Sequence, residues 1–459
     1  MSVFSLSNLK KTWYYLQKNG IRNAVWAVLE RIGQEQEVYT WQEPDEKTLS
    51  FQREHSASLR ISIVVPAYRT KKEHLEAMLN SVSKQSYPHW ELIVADAGGT
   101  AESVQAWAKK NGICLREAAD ASNLAEWKDQ SIMLCTLSEN KGISANTNAG
   151  IELAAGDAVG LLDHDDLLTA NALWEMADCL EKEKKRGKQK LVLFSDEDKC
   201  DGAASRFYEP NFKPDFDGEL LLTNNYICHF TVIETAFLKE LKLRSGFDGA
   251  QDYDLMLRAY AAGGQFVHVP KVLYHWRCHE ASTASNPRSK RYAYEAGQRA
   301  LEDYCLRKGW KATVSGLKHL GFYREDYEDS VFCQRPEIGI WAKPLPGGRD
   351  IFGIRHPKGF LVSGLYENDG SMRYAGLRKG YSGPMHRAAL QQSAPAADLR
   401  SMEVCSALKE RYAQTIAELK EACQGLPTAA QETKILQKSM EFCKEATAAG
   451  YGILWDPQA

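Results

Sequence analysis

Apolar and polar positions follow regular spacings along most of the chain. Short apolar runs rich in β-branched residues are typical of buried strands. Such runs cover residues 61–66, 91–95, 158–162, 191–194 and 265–269. Apolar side chains recur at helical spacing in residues 71–84, 102–110, 142–155 and 251–262. This alternation predicts an α/β domain with a mostly parallel sheet and helices on both faces. Residues 114–137 fit neither pattern.

The first 58 residues have a different pattern. Residues 9–33 carry apolar side chains at near-helical spacing with lysines and arginines between them. This predicts one or two basic amphipathic helices, which either lie on an anionic membrane surface or pack on the main domain or a second subunit. Residues 43–58 are polar and charged, which indicates a linker.

Two distant segments share one pattern. Residues 255–270 align without a gap on residues 442–457, with three alanines, a glycine and a proline at matching positions. In this overlay Asp252 falls on Ser439, so the second copy lacks the leading acid of the first. A related but degenerate unit is therefore expected at the C-terminal end.

Acidic residues follow the strand predicted at residues 158–162. Asp163, Asp165 and Asp166 come together there, with His164 among them. Ligands of α/β sheets bind at the carboxyl ends of strands, and carboxylates at that point suit Mg²⁺ or Mn²⁺ shared with substrate phosphates. The alternative is a strand end whose Asp caps the next helix, but one Asp would serve for that. The cluster therefore predicts a metal or phosphate site.

Further candidate groups lie downstream. Asp252 opens a predicted helix, where it is either an N-terminal cap or a general base. His275, Arg277 and His279 lie just past a strand, at alternate positions that place them on one side. Arg277 is suited to phosphate oxygens, and one of the two histidines is a candidate metal ligand.

Composition narrows the class of protein. The 459 residues, 44% of them hydrophobic and 25% charged, predict a globular protein of two or more domains. The net charge of −3 predicts no nucleic-acid partner. The 11 cysteines have no metal-finger spacing, and we find no signal peptide and no apolar run of about 20 residues. We therefore expect a cytoplasmic protein, either soluble or peripheral at the inner face of the cell membrane.

Six segments, taken together in this order and spacing, resemble the family 2 glycosyltransferases with the GT-A fold. The segments are residues 64–68, 91–96, 140–150, 163–166, 251–254 and 274–277. Two further segments resemble the subgroup that builds bacterial O-antigen, rhamnan or capsule chains. These are Ser195–Lys199 and Phe212–Asp215.

The resemblance implies a division into three parts. Residues 1–58 would form the amphipathic helical leader and linker, and residues 59–325 the GT-A glycosyltransferase domain. Residues 326–459 would form a partial, degenerate GT-A-like half domain. One departure is Ala97, because family members usually carry a second acid at that position after the second strand.

The resemblance also implies roles for individual residues. A divalent metal would be held by Asp163, Asp165 and His275, with His279 as the alternative to His275. Asp252 would be the general base, Asp166 the cap of the following helix, and Asp254 structural. Residues expected to bind the nucleotide of the donor are Pro66, Ala67, Tyr68, Asp96, Asn140, Gly142, Asn146, Asp163 and Arg277.

The expected function is transfer of a sugar with inversion, from a nucleotide diphosphate sugar to a hydroxyl of a glycan or lipid-linked glycan. The sequence does not distinguish UDP, dTDP and GDP as the nucleotide. Two alternatives stay open. One is a Mg²⁺-dependent phosphohydrolase that uses the same acids, and the other is a non-catalytic scaffold in a polysaccharide assembly complex.

Overall fold

The computed structural model describes residues 39–118, 128–278, 291–316, 321–328, 330–342, 364–365, 402–422, 441–442, 445–446 and 448–455. The helices predicted in residues 9–33 lie outside these ranges, as does His279. In the part of the chain that is described, we find no helix both long and apolar enough to cross a bilayer.

The strands and helices alternate as predicted. The strands are β1 (Ile61–Ala67), β2 (Trp90–Asp96), β3 (Cys114–Ala118), β4 (Ser131–Thr136), β5 (Ala158–Leu161), β6 (Leu167–Leu168), β7 (Leu191–Asp201), β8 (Phe207–Asn211), β9 (Thr231–Glu234), β10 (Gln265–Cys278), β11 (Ala312–Gly316) and β12 (Tyr323–Tyr327). The helices are α1 (Glu46–Glu54), α2 (Lys72–Ser83), α3 (Ala101–Asn111), α4 (Ile143–Leu153), α5 (Ala172–Lys185), α6 (Gly218–Thr223), α7 (Thr235–Leu241), α8 (Gln251–Ala261) and α9 (Arg291–Lys308).

One large mixed sheet organises the domain. Its strand order is β3-β4-β2-β1-β5-β9-β7-β10-β6, with β8 paired to β7. β1, β2, β3, β4 and β5 pair in parallel, and β7 pairs in parallel with β10. β9 runs antiparallel to both β5 and β7 and joins the two parallel parts. The predicted α/β class, with mostly parallel strands, is confirmed.

Hydrophobic cores lie on both faces of this sheet, because successive side chains of a strand point to opposite sides. Val64 of β1 packs in one core, with apolar residues of α4, α8 and α9. Its neighbours Ile63 and Val65 pack in the other core, with apolar residues of α2, α3 and α5. The helices therefore cover both faces, as the sequence pattern predicts.

Two segments differ from expectation. The ambiguous residues 114–137 contain the edge strand β3 and its neighbour β4, which pairs with both β3 and β2. The expected linker, residues 43–58, contains helix α1, which the Asp45 carboxylate caps by accepting from the Thr48 amide at 2.7 Å. Its buried contact is the polar Gln52, which is only 2% exposed, so an apolar periodicity does not reveal this helix.

β11 and β12 form a separate two-stranded sheet, and the C-terminal part contains a further sheet of four strands. Its strands β13 (Ile338–Ala342), β14 (Gly364–Leu365), β15 (Met402–Val404) and β16 (Gly452–Trp455) are ordered β14-β16-β13-β15. Three short helices accompany them: α10 (Val331–Gln334), α11 (Ser406–Arg411) and α12 (Ala413–Ala422). Arg335, 5% exposed, forms a bidentate ion pair with Glu219 of α6 at 2.5 and 2.7 Å and so ties this part to the main sheet.

Candidate active site

The candidate site lies at the carboxyl end of β5. The loop from Asp163 to Asp166 follows this strand, at the sheet edge where β1 and β2 also end. The neighbouring strands β9 and β10 and the start of α8 bring further side chains to the loop.

Asp166 anchors the acidic loop to β10. Its carboxylate, 1% exposed, accepts hydrogen bonds from the Tyr274 hydroxyl at 2.5 Å and from the Arg277 backbone amide at 2.7 Å. The prediction that Asp166 caps the next helix is wrong, because that helix begins only at Ala172. The polar tip of Tyr274, a core residue, turns the carboxylate inward instead.

Arg277 holds the same loop from its side chain. Its Nε donates to the carbonyl oxygen of Asp165 at 2.5 Å, and Nη1 donates to that of Gly202 at 2.8 Å. The residue is 2% exposed, and Nη2 has no hydrogen-bond partner in the described part of the chain. The guanidinium is thus engaged with backbone carbonyls rather than open to solvent.

His229 lies beside the acids and was not predicted. Its Nε2 is 4.0 Å from Oδ2 of Asp163, and its Nδ1 is 3.0 Å from Oε2 of Glu197. One ligand atom from each of Asp163, Asp166 and His229 lies within 4.8 Å of the others. Carboxylate oxygens and one imidazole nitrogen at this spacing fit Mg²⁺ or Mn²⁺.

The register of β9 explains why His229 reaches this position. β9 pairs antiparallel with β5 so that Thr231 lies opposite Leu161. Continued two residues beyond each strand, this register brings His229 opposite Asp163. The pairing joins distant parts of the sequence, so no local motif reveals it.

His275 is not brought into this group. Its Nδ1 is 2.5 Å from Oδ1 of Asp198, and its ring packs 4.9 Å from that of Trp41 and 4.3 Å from that of Phe207. The neighbouring residue Tyr274 stacks instead on His229, with ring centroids 4.7 Å apart. Among the described residues, His229 therefore occupies the position that the sequence analysis gave to His275, because alternation along β10 turns His275 away.

The charges around the acids shift their pKa values. Burial raises the pKa of Asp163, as do the charges of Asp165 and Asp252, while His229 opposes the shift. Burial and the charge of Asp165 likewise raise the pKa of Asp166. Because the charge of Asp252 raises the pKa of Asp163, the two carboxylates lie close enough to interact electrostatically.

His229 and Glu197 form a strongly coupled pair. Burial of the ring opposes protonation, yet the hydrogen bond to Glu197 and the charges of Glu197 and Asp163 raise the pKa of His229 to about 9. Burial also opposes ionisation of Glu197, but the charges of Lys213 and His229 lower its pKa to about 2. Near neutral pH, His229 is therefore a cation held between carboxylates.

The predicted nucleobase residues lie at the ends of β1 and β2. Asp96, 2% exposed, accepts from the backbone amides of Gly98, Thr100 and Ala101 at 2.9–3.3 Å and so caps α3. Tyr68 is 39% exposed, with the Arg69 guanidinium 5.0 Å from its ring centroid. Tyr68 therefore offers an accessible aromatic face, whereas the carboxylate of Asp96 is occupied by the backbone. Pro66 and Ala67 are the last two residues of β1.

Asn140 and Gly142 lie in the turn before α4, and Asn146 lies in the first turn of that helix. The Asn140 side-chain oxygen accepts from the Gly142 amide at 3.1 Å and from Nδ2 of Asn146 at 2.9 Å. Asp248 reaches across to accept from the Ser144 amide at 3.3 Å. These contacts order the amino end of α4, which faces the same sheet edge as the acids.

Asp252 is the second residue of α8 rather than its cap, because the helix begins at Gln251. Its Oδ2 accepts from Nδ2 of Asn225 at 2.8 Å, and its Oδ1 accepts from the Tyr253 amide at 2.9 Å. Asp254, by contrast, is 1% exposed and paired with two arginines, Arg244 and Arg258. The structural role predicted for Asp254 is confirmed.

The arrangement combines what a group-transfer reaction needs. One cluster of carboxylates and an imidazole is suited to a divalent cation and a diphosphate. A separate carboxylate, Asp252, lies close enough for its charge to act on Asp163 and is suited to accept a proton. Tyr68 offers a flat apolar surface at the neighbouring strand end.

Part of the chain that includes the acidic loop matches a known protein family. Residues 62–241 match the family model described as "Glycosyl transferase family 2". This segment of the chain is therefore similar to family 2 glycosyltransferases, in agreement with the predicted family, and the mostly parallel sheet with helices on both faces agrees with the predicted α/β class.

Three curated relatives show the context of this domain. An uncharacterized protein of Sinorhizobium fredii, y4gI, is 37% identical over 55% of this chain and 26% of its own length. The O-antigen biosynthesis protein RfbC of Myxococcus xanthus is 34% identical over 56% of this chain and 19% of its own. The amylovoran biosynthesis glycosyltransferase AmsB of Erwinia amylovora is 28% identical over 47% of this chain and 70% of its own. The chain thus spans about a quarter or less of the length of the first two relatives.

Proposed function

We propose that this protein is an inverting glycosyltransferase that moves a sugar from a nucleotide diphosphate sugar to a hydroxyl of a growing bacterial surface glycan. The observation that carries the proposal is the pairing of the cluster around Asp163, which lies in the segment that matches family 2, with the separate carboxylate of Asp252, which follows that segment. The names of RfbC and AmsB support a surface glycan as the product.

We propose Asp163, Asp166 and His229 as the residues that would hold a divalent cation, in place of the predicted set of Asp163, Asp165 and His275. The mutual distances of their ligand atoms and their chemistry support this set. A bound Mg²⁺ or Mn²⁺ would supply Lewis-acid stabilisation of the leaving diphosphate. Asp165 stays close enough for its charge to act on both carboxylates.

In the proposed reaction, the Asp252 carboxylate takes the proton of the acceptor hydroxyl. The acceptor oxygen forms a bond to the anomeric carbon while the bond from that carbon to the diphosphate oxygen breaks. The bonding electrons leave with the nucleoside diphosphate. The acceptor attacks the face opposite the leaving diphosphate, so a single displacement inverts the anomeric centre. No protein nucleophile takes part, and there is thus no second displacement to restore the configuration.

We propose that the donor nucleotide binds along the strand ends at Pro66, Ala67 and Tyr68, with its diphosphate directed toward Asp163. The exposed ring of Tyr68 supports base stacking. The geometry supports indirect roles for three other predicted residues: Asp96 shapes the β2–α3 turn, and Asn140 and Asn146 order the start of α4.

Arg277 was predicted to bind phosphate, and its contacts support a different role. Because its guanidinium donates to the carbonyls of Asp165 and Gly202, we propose that it fixes the acidic loop.

Gly142 was also predicted to bind the nucleotide. Its lack of a side chain leaves room for the Asp248 carboxylate at the start of α4.

We also propose the division of the chain at residues 58 and 325, and the origin of residues 326–459 as a degenerate half domain. The helices predicted in residues 9–33 would contact the inner membrane face. Helical residues among 441–442, 445–446 and 448, followed by β16, support the overlay on residues 255–270.

The proposal is tested with the full chain, a panel of UDP-, dTDP- and GDP-sugars and Mn²⁺. A donor that raises the thermal midpoint of the wild type identifies the nucleotide, because a ligand of the folded state raises apparent stability. With that donor and a glycan acceptor, Asp252→Asn should lose transfer while keeping the thermal shift. The matched control Asp178→Asn changes an exposed pair on α5 and should keep both.

Transfer by Asp252→Asn at the wild-type rate would contradict the assignment of the base. Nucleotide-sugar binding without transfer to any acceptor in either protein would favour a scaffold. Release of phosphate without transfer would favour the phosphohydrolase.

A further inference from the structure

Two sequence segments that the proposed reaction does not use meet behind His229. Glu197 belongs to the acidic segment of β7, and Lys213 follows β8. Both are buried, with 6% and 1% of their surface exposed. Burial of a charged lysine and a charged glutamate costs desolvation free energy. Their contacts with His229, a candidate metal ligand, therefore call for an explanation.

Lys213 forms hydrogen bonds with the backbone on either side of Cys228, next to His229. Its ammonium donates to the carbonyl oxygen of Ile227 at 2.5 Å and to that of His229, and lies 3.5 Å from Oε2 of Glu197. The ammonium thus makes two hydrogen bonds to backbone carbonyls and one ion pair with Glu197. Lys213 therefore fixes the main chain of residues 227–229 just before β9.

Glu197 fixes the ring. Its Oε2 lies 3.0 Å from Nδ1 of His229, while its Oε1 accepts from the Asn211 amide at 3.2 Å. Because a carboxylate can only accept, the contact keeps a proton on Nδ1. The opposite nitrogen, Nε2, is then the one that points at Asp163, 4.0 Å away.

We propose that Glu197 and Lys213 are positioning residues that set the tautomer and orientation of His229 and thereby complete the cation cluster with Asp163 and Asp166. This inference rests on the cation site of the proposed function. A carboxylate behind a metal-bound histidine raises its basicity and fixes its ring, and loss of such a partner typically weakens metal binding about 10–100-fold.

The alternative is that Glu197 and Lys213 form an ordinary buried ion pair with no effect on the ligand. A double-mutant cycle distinguishes the two, because a residue that acts only through His229 has nothing to lose once His229 is replaced. Mn²⁺ affinity of the full chain is measured at one pH by the electron paramagnetic resonance of the free ion. The variants are Glu197→Gln, His229→Asn and the two combined.

We expect Glu197→Gln to weaken Mn²⁺ binding about 10–100-fold and the double variant to bind no more weakly than His229→Asn alone. The matched control is Glu219→Gln, which disrupts a buried ion pair with Arg335 elsewhere in the molecule. It should lower the thermal midpoint and leave Mn²⁺ affinity unchanged. Wild-type affinity in Glu197→Gln, or losses that multiply in the double variant, would overturn the positioning role.

A second measurement needs no substitution of Glu197, in case that variant does not fold. The wild-type protein is labelled with ¹⁵N at histidine, and His229 is assigned by its absence in His229→Asn. With saturating Mg²⁺, its Nδ1 should carry a proton and its Nε2 none. A proton on Nε2 would overturn the inference.

Failure of the proposed function gives a different result. If the wild type binds Mn²⁺ and the cycle behaves as expected but no sugar is transferred, the reaction is wrong and the positioning role stands. If the wild type binds no Mn²⁺, with or without nucleotide, both the cation site and the positioning role are wrong.

Discussion

The side-chain amide of Asn225 donates a hydrogen bond to the Asp252 carboxylate, with 2.8 Å between Nδ2 and Oδ2. Asn225 lies in the loop after α6, and Asp252 lies in the first turn of α8. The other end of the amide, Oδ1 of Asn225, has no hydrogen-bond partner within the described residues. The carboxylate proposed as general base is therefore oriented by a residue that also presents an acceptor beside it.

Asn225→Ala should lower kcat for sugar transfer about tenfold or more and leave the thermal shift caused by the donor unchanged. The reason is that a hydrogen bond to a charged group contributes about 1.5–3 kcal/mol. Steady-state kinetics with the donor found in the panel is the measurement. Asn148→Ala is the control, since that amide bonds only the backbone of Leu243. Equal losses of kcat in the two variants would show that Asn225 acts through stability alone.

His229 should make the stability of the metal-free protein depend on pH. Its pKa is raised from 6.5 to about 9, so the protonated ring stabilises the folded state fully below pH 6.5. This stabilisation is lost as pH rises through about 9. Since one pKa unit corresponds to about 1.4 kcal/mol, the loss is on the order of 3 kcal/mol. Urea unfolding in the presence of a chelator measures it.

His229→Asn is the control for this prediction. The variant should unfold more easily at pH 6.5 and lack the decline that the wild type shows toward alkaline pH. A parallel decline in both proteins would assign the effect to other groups.

Cation affinity should rise with pH. A proton and a metal ion compete for Nε2 of His229, whose pKa is raised to about 9. Between about pH 6.5 and 8, the apparent Kd for Mn²⁺ should fall about tenfold per pH unit. Calorimetric titration in buffers of different ionisation enthalpy should show release of about one proton. A Kd independent of pH would exclude His229 as a ligand.

The sequence predicted the sheet and the acidic loop because both are local. Apolar periodicity located β1, β2, β5 and β7, and the run from Asp163 to Asp166 identified the loop between β5 and β6. Helix α1 was missed because Gln52, a polar residue, makes its buried contact. A search for apolar spacing does not detect a helix that packs through an amide.

The identity of the histidine at the site depended on non-local information. His229 reaches Asp163 through the antiparallel register of β9 on β5, and Glu197 orients it from β7. His275 was a predicted metal ligand, with His279 as the alternative, but the strand directs the ring of His275 to Trp41 and Asp198. Choosing between the two histidines therefore required the strand order, which local spacing does not contain.

Gly142 provides a test of the turn before α4. Its φ is +97°, in the region that favours glycine, and a Cβ there would lie 2.3 Å from Oδ2 of Asp248. Gly142→Ala should therefore strain the backbone and displace Asp248 from the Ser144 amide. Strain of about 1–3 kcal/mol and loss of a helix cap of about 1 kcal/mol predict a total near 2–4 kcal/mol.

Asp248→Ala separates the two contributions, with thermal and urea unfolding as the measurement. Alone, this variant should cost only the cap, about 1 kcal/mol. In the Gly142→Ala background it should cost almost nothing, because the displaced carboxylate has already lost its contact with Ser144. Additive losses would mean that Asp248 keeps its contact when the Cβ is present, so that backbone strain alone accounts for the requirement for glycine.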